Sequence, residues 1–139
     1  MTDLLQTEKF KCSVSSVLNK NVKQNGKQYM YDTEEDTAWS SNEGTPQWIN
    51  IQFEELQAMH EFEFQFQGGF AGKHGIMTAE SADGNKLCEE TFYPDDVNSV
   101  QKFKLKNPIL NKEVLKIKFL FASSTDFFGR IIVYKLKVF

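Results

Sequence analysis

Polar and apolar residues alternate one by one along much of this chain. In Phe62-Glu63-Phe64-Gln65-Phe66-Gln67 three rings fall on one face and three polar groups on the other. That period of two predicts a strand with one buried face. Trp48-Ile49-Asn50-Ile51-Gln52-Phe53 alternates in its second half, and Phe103-Lys104-Leu105-Lys106, Leu115-Lys116-Ile117-Lys118-Phe119 and Tyr134-Lys135-Leu136-Lys137-Val138 repeat the pattern with lysine outward. Further strands are predicted over Phe10–Leu18, Gly75–Ser81 and Lys86–Phe92, the last two joined by an Asp83-Gly84 hairpin signal. Glu54-Glu55-Leu56-Gln57-Ala58-Met59-His60 is rich in helix formers but covers only about two turns. A loop or short turn is expected there, between two strong strands. Pro46, Pro94 and Pro108 fall between strand candidates, where proline interrupts no ladder. About eight strands with polar turns and no strong helix predict an all-β sandwich or jelly roll of antiparallel strands.

Composition adds to this picture in one respect. Of the 139 residues 13 are Phe, against 2 Trp and 4 Tyr, so the core is expected to be filled by phenyl rings. The length suits one domain over residues 1–139 with a single core. Hydrophobic residues at 40% and charged residues at 25% do not fit a disordered tail. No apolar run approaches the roughly 20 residues that span a bilayer. The start, Met1 to Glu8, is acidic and polar and does not read as a secretory signal. Cys12 and Cys88 are too few for a disulfide framework, and no Asn-x-Ser/Thr sequon occurs. These features predict an intracellular protein, nuclear or cytoplasmic, with reduced thiols and no membrane association.

The net charge of −3 hides an asymmetry. Seven lysines and 17 acids precede residue 101, whereas eight lysines, Arg130 and two acids follow it. Lys102, Lys104 and Lys106 share one strand face, Lys116 and Lys118 another, and Lys135 and Lys137 a third. Were those strands neighbours, the faces would merge into a basic patch for nucleic acid or an acidic peptide. No aromatic interleaves with them, so base stacking is unsupported and direct nucleic-acid binding is not expected. Outward lysines also keep sheet edges soluble.

Three clusters hold candidate chemistry. The acidic run from Tyr31 to Ser41, with Glu43 just beyond it, places Asp32, Glu34, Asp36 and Glu43 at the first, third, fifth and twelfth positions of a calcium loop. Thr37 stands where that loop needs glycine, and strands flank it, so an EF-hand is not expected. Cys12, His60, His74 and Cys88 show no close-spaced zinc pair. Gly68-Gly69-Phe70-Ala71-Gly72-Lys73-His74-Gly75 lacks the order of a phosphate cradle and reads as a mobile connection, with Phe70 anchored or exposed. A Cys88–His74 pair is the only nucleophile candidate, and no enzyme is expected from it. Thr125-Asp126-Phe127-Phe128-Gly129-Arg130 carries two adjacent rings, which cannot both face one side of a strand.

Taken in order, these pieces resemble the discoidin family, the type C domain of coagulation factors five and eight. Val14 to Asn19, Tyr31-Asp32 through Ser41, Gln47-Trp48-Ile49, Ser81-Ala82-Asp83-Gly84 and Phe128-Gly129-Arg130 carry the resemblance over nearly the whole chain. It implies a galactose-binding-like jelly roll of two antiparallel sheets. Phe66 to Phe70, Phe92 to Ser99 and Thr125 to Arg130 resemble small intracellular members that bind an orphan nuclear receptor. That likeness implies a non-enzymatic protein-binding repressor that lowers the receptor's DNA binding. Gly69, Phe70, His74, Asp126, Phe127, Phe128 and Arg130 are then the candidate partner-binding residues. A glycan- or lipid-headgroup-binding module, calcium-assisted, stands as the alternative. The family resemblance also implies a structural calcium, for which Asp32, Glu34 and Thr37 are the matching ligands, while Lys135 stands where a late Glu is usual.

Overall fold

The computed structural model describes residues 1–139. Seven strands form: β1 (Phe10–Val14), β2 (Trp39–Ser40), β3 (Gln47–Phe66), β4 (Gly72–Glu80), β5 (Lys86–Phe92), β6 (Gln101–Ser124) and β7 (Ile132–Val138). The alternating segments on either side of residues 54–60 prove to be one strand. The expected loop there is overridden because β6 pairs antiparallel with β3 from Gln47↔Phe121 to Phe64↔Gln101. The price is a set of register shifts between Gln52 and Glu61, where both strands turn a corner. Pro108 lies inside β6 at this corner, where pairing jumps from Met59↔Ile109 to Glu61↔Lys104. Lys86–Phe92 has the predicted bounds, whereas β1 stops at Val14 and β4 begins three residues early, at Gly72.

The corner makes a sandwich out of a continuous ladder. One layer joins β1, the first half of β3, the second half of β6, β4 and β5. The other joins β2, β7, the second half of β3 and the first half of β6. The rings meet between the layers: Phe62–Phe119 centroids are 5.0 Å apart, Phe64–Phe121 5.4 Å and Phe66–Phe121 5.6 Å. Burying each such ring contributes about 1.5–3 kcal/mol. These rings belong to a buried core that also takes in Trp39, Ile49, Ile51, Phe53 and Val133.

A bulge near the end of β3 sets which residues reach that core. The N–H groups of His60 and Glu61 both donate to the Phe139 carbonyl, at 2.6 and 3.1 Å. Two residues therefore oppose one, and the side-chain parity changes. Before the bulge Ile49, Ile51, Phe53 and Met59 are buried; after it Phe62, Phe64 and Phe66 are. Glu61 itself is buried, with the Lys102 ammonium 3.6 Å from its carboxylate.

Two of the three lysine faces share the second layer, but the acids of β3 stand between them: Lys137 on β7 and Lys102 on β6 both pair with Glu63. Lys116 and Lys118 pair with Gln52 and Asn50 in the first layer, whereas Lys102 and Lys104 pair with Glu63 and Glu61 in the second. Helical structure is confined to α1 (Leu4–Thr7), α2 (Val22–Asn25) and two single 3₁₀ turns, Leu18–Lys20 and Lys27–Met30. Asp3 caps α1, and one of its carboxylate oxygens accepts the N–H of both Leu5 and Val138 at 3.1 Å. That bond ties the first turn of the chain to its last strand. No helix is long and apolar enough to cross a membrane.

Candidate functional site

One end of the sandwich is built from four connections: residues 41–46, 67–71, 93–100 and 125–131. Their polar groups bond to one another. Asp96 accepts the Gly69 N–H at 2.7 Å and the Thr125 hydroxyl at 3.2 Å, and Asn98 accepts the Gly68 N–H at 2.7 Å. Thr125 exchanges two bonds with Ala71, at 2.9 and 3.0 Å. The expected mobile connection over 68–75 is therefore fixed. From Gly72 onward it is strand, paired with β6 from Gly72↔Ser124, and the Phe121 and Phe92 rings occupy the space where side chains at Gly72 and Gly75 would sit.

Asp96 and Asn98 are themselves exposed, and at the same end two rings stand in solvent. Phe127 is 93% exposed and Phe128 57%, their centroids 5.3 Å apart and edge to face. The turn beneath them needs Gly129, whose φ is +86°; a Cβ there would lie 2.9 Å from the backbone of Gly44. Gly44 in turn donates its N–H to the Phe128 carbonyl at 2.8 Å. Asp126 accepts both the N–H and the Nε–H of Arg130, at 3.1 and 3.2 Å. Desolvation pushes the Asp126 carboxyl up, but the Arg130 N–H and guanidinium and the Phe128 N–H outweigh it and hold it below the usual carboxylate range. The Arg130 guanidinium carbon lies 5.1 Å from the half-buried Phe70 ring, within cation–π range. Gly69, Phe70, Asp126, Phe127, Phe128 and Arg130 thus share one end of the molecule. His74 lies on β4 with φ +49°, its ring 5.9 Å from that of Tyr93. Tyr93, at 66% exposed, and Asp96 and Asn98 are additions that motif reasoning missed. The quoted run from Phe92 to Ser99 contains all three.

Of the three candidate metal ligands the structure brings two together. The Thr37 hydroxyl donates to Asp32 at 2.7 Å, while Glu34 bonds Asp32 only through its backbone N–H, at 3.1 Å. Lys135, outward by alternation and at the late Glu position by the family resemblance, reaches into this loop. Its ammonium lies 3.2 Å from Asp32 and donates to the carbonyls of Tyr29, Thr37 and Tyr134 at 2.8, 3.2 and 2.7 Å. Calcium collects six to eight oxygens at about 2.3–2.6 Å. With an ammonium at the centre of this oxygen set the residues present do not fit that ion.

The cysteines form no nucleophile pair. Cys88 sits opposite Ala79, five residues along β4 from His74 and so about 16 Å away. Burial and the neighbouring Glu90 carboxylate push its thiol up to about 11. Burial likewise pushes Cys12 up to about 11, so neither is a thiolate at neutral pH.

No family model matches the chain. Among curated proteins it is similar to the nuclear receptor 2C2-associated protein of Danio rerio, 46% identical over 125 residues that make up 90% of this chain and 86% of that one. The protein of the same name from Homo sapiens is 41% identical over 127 residues, 90% of this chain and 87% of that one. Among solved structures, a family 32 carbohydrate-binding module from C. perfringens in complex with galactose superposes with a TM-score of 0.75 at 16% identity, over 99% and 97% of the two chains. The F5/8 type C domain of a Bacteroides fragilis protein gives 0.75 at 14% identity, over 93% and 89%. The fold is a galactose-binding-like jelly roll of the discoidin type.

Proposed function

The chain belongs to the family of nuclear receptor 2C2-associated proteins, and from that membership we propose that it is a non-enzymatic module that binds a nuclear receptor. In this reading it represses receptor-driven transactivation by lowering the receptor's hold on DNA, and it acts inside the cell, in nucleus or cytoplasm. One observation carries the choice of surface: Phe127 and Phe128 stand exposed on a loop end whose polar groups bond to one another. Such rings lose little on being covered and gain the free energy of leaving water, about 1.5–3 kcal/mol each. Arg130, fixed by Asp126, adds a donor at the rim. A partner with an apolar groove edged by carboxylates fits this end.

The test is binding of the purified chain to the DNA-binding and ligand-binding regions of the receptor, followed by gel shift on the receptor's DNA element. Binding to one region with a weaker gel shift is the expected result. Failure to bind either region defeats the reading, and binding without change in the gel shift removes the repression step. A second reading, recognition of a glycan or lipid headgroup, draws on the exposed Tyr93 ring beside His74. A glycan array and vesicle sedimentation test it, and Tyr93→Ala removes any signal that arises there.

A further inference from the structure

Lys135 is a lysine out of place. It lies on the outward side of β7, opposite Gln65, yet its side chain is only 17% exposed. The 3₁₀ turn Lys27–Met30 and the loop that follows lie over this part of β7, and the ammonium meets five oxygens there. They are the carbonyls of Tyr29, Thr37 and Tyr134, the Thr37 hydroxyl at 3.3 Å and one Asp32 oxygen. No nitrogen donor and no second cation is among these contacts. Three carbonyls, a hydroxyl and a carboxylate form the oxygen shell that hard cations take. The shell carries one negative charge, which one ammonium balances.

We propose that the Lys135 ammonium is the resident cation of the 29–37 loop and holds it against β7 in place of a metal ion. The same shell becomes a calcium site once the lysine is replaced by a carboxylate. The physical reason is tethering. Position 135 is fixed by the β7 ladder, so the cation is supplied at a high effective concentration and need not be recruited from solution. A divalent ion would have to expel the ammonium, whose three N–H bonds would then lose their acceptors in a mostly buried setting. Lys135→Glu removes that obstacle and supplies a second carboxylate, which brings the oxygen count to the lower limit for calcium.

Thermal melts of the full chain in chelator and in millimolar calcium test this. The wild-type Tm is expected to be the same in both; a calcium-dependent rise would overturn the proposal, because a ligand of the native state must stabilise it. Lys135→Met is expected to lower Tm by roughly 5–10 °C with or without calcium, and an unchanged Tm would overturn the holding role. Lys135→Glu is expected to melt low in chelator and to recover several degrees in calcium. A folded Lys135→Glu with no calcium response would show that the shell is not a cation shell. Should either variant fail to fold, the ammonium can be watched in the wild type. A slowly exchanging NH3 resonance that disappears in Lys135→Arg is the expected signature, and a freely exchanging one would overturn the assignment.

Discussion

The aromatic loop end and the Lys135 loop solve one problem in opposite ways. Both are irregular backbone, and both must satisfy polar groups that no ladder pairs. At the loop end Asp96, Asn98 and Thr125 bond to backbone N–H groups from neighbouring connections, and Tyr93, Phe127 and Phe128 are left exposed. In the 29–37 loop the carbonyls are left over, and a lysine from the next layer of structure fills them. The first arrangement leaves something for another molecule to cover. The second leaves nothing. The lesson is that a shared fold fixes where irregular segments lie, while the choice between donors and acceptors in them decides which are available for binding.

Substitutions can break this comparison. The largest effect is expected from Gly129→Val, which forces a β-branched residue to φ +86° and into the Gly44 backbone. It should cost about 3 kcal/mol of stability and weaken partner binding as well; chemical denaturation beside a binding assay measures both. Next comes the double change Phe127→Ala, Phe128→Ala. Partner affinity should fall about 30-fold while Tm stays within a degree or two, since these rings pack on each other and lie outside the core. An unchanged affinity would move the contact surface elsewhere. Lys135→Met should give the reverse result, a lowered Tm with partner affinity intact.

Asp96→Ala sits between these cases. It strips an acceptor from the Gly69 N–H and the Thr125 hydroxyl, at a cost of about 1 kcal/mol in stability. Binding should weaken only through the loosened loop, which hydrogen exchange at Gly69 reports. The smallest effect concerns pH. The folded-state pKa of Asp126 lies below its ordinary value, so its contribution is complete above that value and is lost as pH falls through the folded one. Stability should therefore begin to decline as pH falls below about 5 and go on falling through the folded value, and Asp126→Asn should flatten part of that slope. Asp32 adds in the same direction, whereas Asp3, raised by burial, works against both.

Local signals made much of the fold legible. Lys86–Phe92 was bounded correctly because Asp83-Gly84 and Pro94 punctuate both ends. The phenyl rings after residue 61 were placed inward by alternation alone. Residues 54–60 were misread because helix-forming composition is a weak prior against pairing with β6, a partner about 55 residues away. Lys135 was legible only through the family resemblance, which set it at a calcium ligand's place. A period of two says which side of β7 it is on, but not that Tyr29 and Thr37 cover that side. At the loop end Phe127 and Phe128 announced themselves by adjacency. Asp96 and Asn98 could not, since their partners are backbone N–H groups about 30 residues away and any residue type supplies those.

The bulge at His60-Glu61 also bears on how this chain tolerates insertion and deletion. It acts as a one-letter frameshift written into the sheet, and the strand after it is meaningful only in the shifted frame. Deleting Glu61 would leave a chain with nearly unchanged composition and unbroken alternation. Met59, His60 and Phe62 would then follow one another in regular alternation, so Phe62, Phe64 and Phe66 would stay on the inner face and only the bulge would be lost. Loss of Glu63 instead, with the bulge kept, would turn Phe64 and Phe66 to water and Gln65 toward the opposite layer, so the bulge is the one place in this half of the strand where a single-codon loss spares the core.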